Sequence, residues 1–377
     1  MKAVIVDWIR SPFHRAHKGE LKGIRPDDMS GQLAKGILER NNISPDLIDD
    51  LLLGCAYPEG EQGYNLGRLV SFLGGMPDTV PGSTINRLCG SSMESILTAA
   101  SKIEVGWGDC FLCGGVESMS RIQRRGFNWS PNQKLQMVFP NAYIGMVETA
   151  ENVAKKWQIS RIDQEMFALS SHNKANIALN AGNFSDEIFP IKYDEGIISL
   201  DGCIRPKSSL DSMAKLSPVL GDSTSITAAT ASPLTDGASF MLVCSEEFAT
   251  INELTPIARV VSGAVIGCPP HLMGIGPINA IKLVLERANW NIQDVDIFEL
   301  NEAFSSQSLA VIRELGIDIS KVNIDGGALA IGHPLGASGV RITGKAASIM
   351  KRTGKDRAIA SMCIGGGMGI AIALEKY

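Results

Sequence analysis

The sequence predicts an α/β protein in which one layered half is formed twice. Three observations carry that prediction: a repeat held in one register, a helix-then-strand order in both copies, and a middle segment of different texture. The register is a shift of 282 − 35 = 247 residues. It lays Lys35-Gly36-Ile37-Leu38-Glu39-Arg40 on Lys282-Leu283-Val284-Leu285-Glu286-Arg287, Ile48-Asp49 on Val295-Asp296, and Leu53 on Leu300. Further on, Cys89-Gly90-Ser91-Ser92 falls on Gly336-Ala337-Ser338-Gly339. Several matches in one register favour duplication over chance.

In the first copy, Asp27, Asp28 and Ser30 are expected to cap a helix whose apolar face includes Leu33, Ile37 and Leu38. An acidic turn then leads into Leu51-Leu52-Leu53, the apolar run of a buried strand. The second copy repeats the order, with a helix opening at Pro277 and a strand from Val295 to Leu300. Such alternation implies helices layered on a mostly parallel sheet. Between the copies, residues 118–232 read as an inserted lobe, too apolar for a disordered tether. Its surest element is a helix capped by Ser160 and Asp163 that runs through Met166, Phe167 and Ala178 towards Gly182. The expected division is therefore 1–117 completed by 233–256, the lobe 118–232, and 257–377.

Composition narrows the function. Of 377 residues, 45% are hydrophobic and 20% charged, the balance of a protein with well-developed cores. Thirty-five basic against forty acidic residues give a net charge of −5, no footing for nucleic acid. Arg121, Arg124 and Arg125 form a local basic cluster, either a solvated loop or a site for an anionic ligand or partner. The opening run Val4-Ile5-Val6 is too short for a signal peptide, and no apolar stretch reaches ~18 residues. Eight cysteines in so long a chain do not make a secreted disulfide scaffold, so a cytoplasmic location is expected.

Cys89 is the first candidate catalytic residue. Apolar residues at Met93, Ile96, Leu97, Ala100 and Ile103 mark a helical face, which puts Cys89 at a helix start. There the backbone N–H groups and the helix dipole are expected to stabilise a thiolate and lower its pKa. A buried structural cysteine is the competing interpretation. The base expected to serve it is His333, in the glycine-dense run Gly326 to Gly339, which the repeat register sets opposite the Cys89 loop. A second glycine loop, Cys363-Ile364-Gly365-Gly366-Gly367, offers backbone N–H groups to an oxyanion beside a thiol suited to acid and base work. Asn301-Glu302-Ala303-Phe304 ends the second-copy strand, where ligands of parallel sheets gather. Cys110-Phe111-Leu112-Cys113 is weak evidence for metal, because structural zinc wants four ligands; strand packing is preferred, and no metal is expected.

Together these residues resemble the thiolase family almost from end to end. Four motifs carry the likeness: Asn86-Arg87-Leu88-Cys89-Gly90-Ser91, Asn301-Glu302-Ala303-Phe304, Gly332-His333-Pro334-Leu335-Gly336, and Cys363-Ile364-Gly365-Gly366-Gly367. The resemblance implies a thiolase fold, two α/β halves in an α-β-α-β-α layering with a loop domain inserted in the first. It implies that Cys89 accepts the acyl group, that His333 activates it, and that Cys363 protonates or deprotonates the acetyl α-carbon. Asn301 would hold a water that forms one oxyanion hole with His333, and the N–H groups of Cys89 and Gly365 would form the other. Ser232 is expected to meet the pantetheine arm of coenzyme A, with Met146, Met273 and Phe304 lining the acyl pocket. CoA and acyl-CoA are then substrates, and no cofactor is permanently bound. Family resemblance also implies a homodimer or homotetramer, and in some members a hydratase–dehydrogenase partner.

Two departures from the family pattern stand out. Where thiolases commonly read Gly-Asn-x-Ser, this chain has Ala229-Thr230-Ala231-Ser232. Where many acetoacetyl-CoA enzymes place a histidine before the methionine matching Met146, it has Gly145, which favours a degradative 3-ketoacyl-CoA thiolase with a roomier pocket. An acetoacetyl-CoA-specific acetyltransferase and a non-catalytic lipid-binding relative are the alternatives. A carrier-protein-dependent condensing enzyme is disfavoured by Asn301 and Cys363, which stand where those enzymes usually carry a histidine.

Overall fold

The structure is a computed structural model that describes residues 2–377. Nine strands run side by side in the order Ile297–Leu300, Arg357–Ile364, Met368–Lys376, Ala258–Gly267, Ala3–Arg10, Thr235–Ser245, Cys110–Ser118, Asp50–Gly54, Gly82–Ile85. The short strand His14–Arg15 pairs with Thr235–Ser245 off this path. The middle joint is short: Val4 pairs with Arg259 and Ile5 with Ala258, and the Ile257 N–H donates to the Ile5 carbonyl at 2.8 Å. Two half-sheets thus meet edge to edge in one continuous sheet.

The duplication is visible in the elements themselves. Strand Asp50–Gly54, helix Ser91–Glu104 and strand Cys110–Ser118 of the first half recur as Ile297–Leu300, Ser338–Thr353 and Arg357–Ile364. Each starts 247 residues later (297 − 50 = 338 − 91 = 357 − 110 = 247). Helices Ser91–Glu104 and Ser338–Thr353 pack together in the middle, and both half-sheets turn one face onto them. Period-two alternation sorts the strand residues. Phe111 and Cys113 point into this central core, whereas Cys110 and Leu112 point out against the layer that holds helix Pro26–Arg40. Across the second sheet, Met362 and Ile372 face inward, and Ile359 and Ala371 face an outer layer containing helix Gly276–Ala288. Five layers result.

Three expectations need correcting. The sheet is mixed rather than mostly parallel: only Asp50–Gly54 with its two neighbours and Ile297–Leu300 with Arg357–Ile364 pair parallel. In each half the chain returns beside the third strand without a crossover between them, and such neighbours run antiparallel. Asp27 and Ser30 do not cap the first helix, which begins at Pro26 after Arg25 without a side-chain cap. Asp27 instead pairs with Arg25 at 2.7 Å, and the Ser30 hydroxyl donates to the Pro26 carbonyl at 2.7 Å. The second-copy strand starts at Ile297, not Val295.

After strand Cys110–Ser118 the chain leaves the sheet, builds residues 119–234, and comes back as Thr235–Ser245. Helix Arg161–Asn180 in this excursion has the Ser160 and Asp163 capping box. After Arg357–Ile364, the equivalent connection is only residues 365–367. Arg10 ties the excursion to the sheet: buried completely, it pairs with Glu187 at 2.8 Å and with Asp201 at 2.7 Å. Cys110 and Cys113 lie on opposite faces of their strand and do not converge on one point. Among the described residues, no helix is long and apolar enough to cross a membrane.

Candidate active site

The loop before helix Ser91–Glu104 is bent by its own side chains. Asn86 Oδ1 accepts from the Leu88 N–H at 2.9 Å, and the Ser91 hydroxyl accepts from the Arg87 N–H at 2.9 Å while donating to the Leu88 carbonyl. Leu88 is driven to φ = 46°, a strained conformation for a residue with a Cβ, costing about 1–3 kcal/mol. The bend sets Cys89 one residue ahead of Gly90, the helix N-cap, with its sulfur at the floor of a cavity. Arg87 locks the loop through a two-point pair with Glu94 at 2.8 Å.

The loop bearing His333 belongs to the second half but is held by the first. The His333 N–H donates to Thr235 Oγ1 at 3.0 Å, Gly336 N–H to Glu117 at 3.0 Å, and Val340 N–H to Ser92 Oγ at 3.0 Å. Ser239 Oγ donates to the Ala337 carbonyl at 2.6 Å. Backbones nearly touch here: a Cβ on Gly115 would sit 2.0 Å from the Gly336 carbonyl oxygen. Neither copy tolerates a side chain at that crossing.

Those contacts fix which nitrogen of His333 is free. The Ser338 hydroxyl has one proton and donates it to the Pro334 carbonyl at 2.8 Å. It must therefore accept from His333 Nδ1–H, 2.6 Å away. The lone pair then resides on Nε2, 3.3 Å from the Asn301 amide nitrogen that donates to it. Burial, aided by the nearby Arg341 charge, lowers the His333 pKa to about 3, so the ring is neutral at pH 7 and able to accept a proton.

Cys89 departs from expectation. Its pKa is pushed up to about 11, not down, chiefly because protein surrounds the sulfur, with the Glu117 charge adding to the rise. The hydrogen bond from the Gly365 N–H to Sγ and the nearby Arg124 charge oppose burial without overcoming it. Cys89 is therefore a thiol at neutral pH, and its sulfur can act as a nucleophile only if its proton is transferred. Burial likewise raises the Cys363 thiol well above its ordinary value, and the neighbouring Cys89 adds to the shift.

One cavity of about 360 Å³ gathers most of the candidates. Cys89, His333, Cys363 and Gly365 line it together with Ser232, Met146, Met273 and Phe304. Asn301 is the exception: it is fully buried behind His333, and its Oδ1 has no partner among the described residues. The Gly365 turn is a three-residue hairpin between Ile364 and Met368, with Gly366 and Gly367 at φ = 81° and 85°. The segment that departs from the family pattern is well seated. Ala231 bridges Phe304, the Ser232 N–H donates to the Ala303 carbonyl at 3.0 Å, and Thr230 Oγ1 accepts from the Thr227 N–H at 2.9 Å. A small residue and a hydroxyl therefore maintain the turn.

With this geometry in place, the comparisons with known proteins are decisive. Residues 3–247 match the family model described as "Thiolase, N-terminal domain", and residues 254–376 match "Thiolase, C-terminal domain". The chain belongs to the thiolase family. A 3-ketoacyl-CoA thiolase of Bacillus subtilis is 43% identical over 99% of each chain. A beta-ketoadipyl-CoA thiolase of Pseudomonas putida is 41% identical over 99% of this chain and 98% of its own. The solved structure of human mitochondrial 3-ketoacyl-CoA thiolase in complex with CoA superposes with a TM-score of 0.91 at 38% identity, covering 100% of this chain and 98% of the other. The thiolase fold is thereby shown, and so is the activity class, an acyltransferase.

Sequence reasoning about this thiolase missed Glu117, which is buried and accepts from the Ala56 N–H at 2.9 Å, Gln62 Nε2 at 2.8 Å and the Gly336 N–H. A carboxylate inside the apolar strand Cys110–Ser118 was the available signal. Glu302 of the Asn301 motif points away from the chemistry. It accepts from Ser171 at 2.6 Å and Asn323 at 2.7 Å and braces the turn before His333.

Proposed function

We propose that the chain cleaves a 3-ketoacyl-CoA with CoA through an acyl-enzyme on Cys89. The supporting observation is that Cys89, Cys363 and a neutral His333 with its lone pair on Nε2 line one cavity. His333 Nε2 takes the Cys89 proton, and the sulfur attacks the 3-keto carbon. The C2–C3 bond breaks, and its electron pair forms the enolate of acetyl-CoA, which takes a proton at carbon from Cys363. An incoming CoA thiol gives its proton to the Cys363 sulfur and attacks the acyl group. The thioester to Cys89 breaks, and the proton on His333 returns to that sulfur. No resident cofactor enters this cycle.

Charge develops on a thioester or keto oxygen in each half-reaction, and fixed donors stabilise it. The N–H groups of Cys89 and Gly365 serve one oxygen. His333, with a water held by the unpartnered Asn301 Oδ1, serves the other. Ser232, beside the Phe304 bridge, meets the pantetheine arm, and Met146, Met273 and Phe304 line the acyl pocket. The division 1–117 with 233–256, lobe 118–232 and 257–377 is consistent with the observed excursion from the sheet. A homodimer or homotetramer is supported by the outer edge of strand Gly82–Ile85, which has no neighbour on that side among the described residues and leads into the Cys89 loop. Eight free cysteines suit a reducing cytoplasm.

The test separates the two thiols. Cys363→Ala treated with acetyl-CoA should still gain an acetyl group on Cys89, seen by intact mass, while carbon–carbon cleavage is lost. An enzyme that is not acetylated would show that the roles are not divided in this way.

A further inference from the structure

Glu117 is fully buried, and its carboxylate stands between the two catalytic loops. One oxygen, Oε2, accepts from the Ala56 N–H at 2.9 Å and from the Gly336 N–H at 3.0 Å. On one side, the Ala56 carbonyl accepts from Asn86 Nδ2 at 3.2 Å, and Asn86 Oδ1 in turn holds the Leu88 N–H, next to Cys89. On the other side, Gly336 lies three residues after His333. A short chain of hydrogen bonds thus runs from the Cys89 loop through one oxygen to the His333 loop.

The charge state of Glu117 follows from its partners. Oε1 accepts from Gln62 Nε2 at 2.8 Å and from the Tyr57 N–H at 3.3 Å. The Gln62 amide cannot flip, because its own oxygen accepts from the Ser118 N–H at 2.7 Å. A protonated carboxyl needs an acceptor, and these N–H groups offer none, so the group is held as a carboxylate although burial raises its pKa. Its charge adds to the rise that burial causes in the Cys89 pKa. Tyr57, Arg124, Arg125, Tyr143, His333 and Cys363 are the titratable groups that share the cavity with Cys89, and Glu117 does not line it.

We propose that Glu117 is a positioning residue for the thiolase reaction, setting the Cys89 sulfur and the His333 imidazole against each other by holding a turn that supports each. The proposal rests on the Cys89 mechanism and adds to it a side chain that touches no reacting atom. The negative charge has a second effect: it favours the thiol, so the sulfur is freed when His333 takes the proton.

Two variants separate the reach of Glu117 from its charge. Glu117→Asp keeps the charge but is too short to hold both turns, whereas Glu117→Gln keeps the length but removes the charge and puts an amide group among donors. Circular dichroism first compares each fold with wild type, and two rates are then read. Acetylation of Cys89 by acetyl-CoA needs sulfur and imidazole together; alkylation of Cys89 by iodoacetamide, followed by peptide mass, needs the sulfur alone. Acetylation should slow by about tenfold to a hundredfold in both variants, the cost of a small misplacement of reacting groups. Alkylation at mildly alkaline pH should rise about threefold or more in Glu117→Gln only, where a charge opposing the thiolate is gone. Acetylation at the wild-type rate in either variant, or alkylation that rises equally in both, overturns the proposal. Should one variant not fold, the acetylation rate of the other decides; loss of fold in both leaves Glu117 a role in stability alone and also overturns it. Wild-type enzyme that acetyl-CoA does not acetylate on Cys89 would instead overturn the mechanism on which the proposal rests.

Discussion

The same strand ends differently in the two halves. Cys110–Ser118 opens into residues 119–234, whereas its counterpart Arg357–Ile364 turns back through Gly365, Gly366 and Gly367. The short turn places a thiol and a backbone N–H beside Cys89. The long excursion supplies Arg124, Met146 and Ser232, which line the cavity around the reacting atoms. Under the proposed function, the tight connection would serve the chemistry and the long one recognition.

Substitutions can break that division or sharpen it. The largest effect belongs to the nucleophile: Cys89→Ser should lower both thiolysis and condensation by about 10⁴-fold or more, as loss of a covalent nucleophile does. Substantial residual turnover in a steady-state assay would mean that the sulfur is not on the path. Next is the tautomer. Ser338→Ala releases His333 Nδ1 and should cost about tenfold in kcat, the lower range for removing a group that orients a reacting residue. The wild-type pH profile tests the same arrangement. His333 accepts a proton only above its pKa of about 3, and Cys89 stays a thiol below about 11. Between these values both groups remain neutral, so kcat/KM should pass through the ordinary imidazole region near 6.5 without an inflection. An inflection there would place a charged His333 in the free enzyme. The smallest effect is on recognition: Ser232→Ala should raise the KM for CoA about fivefold with little change in kcat, the worth of one hydrogen bond. A fall in kcat instead would move Ser232 to the chemical side of the comparison.

Much of this was legible before any coordinates. The 247-residue register exposed the duplication because both copies kept residues that a shared fold demands, such as Leu53 and Leu300 in equivalent buried strands. Cys89, His333 and Cys363 were legible because glycines around them signal close backbone approach. The state of Cys89 was not. A helix start argues for a low pKa, but the opposing burial arises only once the chain is folded around the sulfur. The mixed pairing of the sheet was equally hidden, since a buried apolar run reads alike in either direction. The basic cluster was visible only as three arginines. In the fold, Glu61 engages Arg121 and Trp129 engages Arg125, while Arg124 lines the cavity.

The crossing of Gly115 and Gly336 has a consequence for how such an enzyme changes. Where two main chains lie in contact, even a methyl group forces the halves apart, and the distance between sulfur and imidazole goes with them. That seam is closed to variation. The cavity residues that the excursion supplies, such as Met146, are not part of that crossing, so a lineage can trade one class of acyl chain for another there while the reacting atoms stay in place.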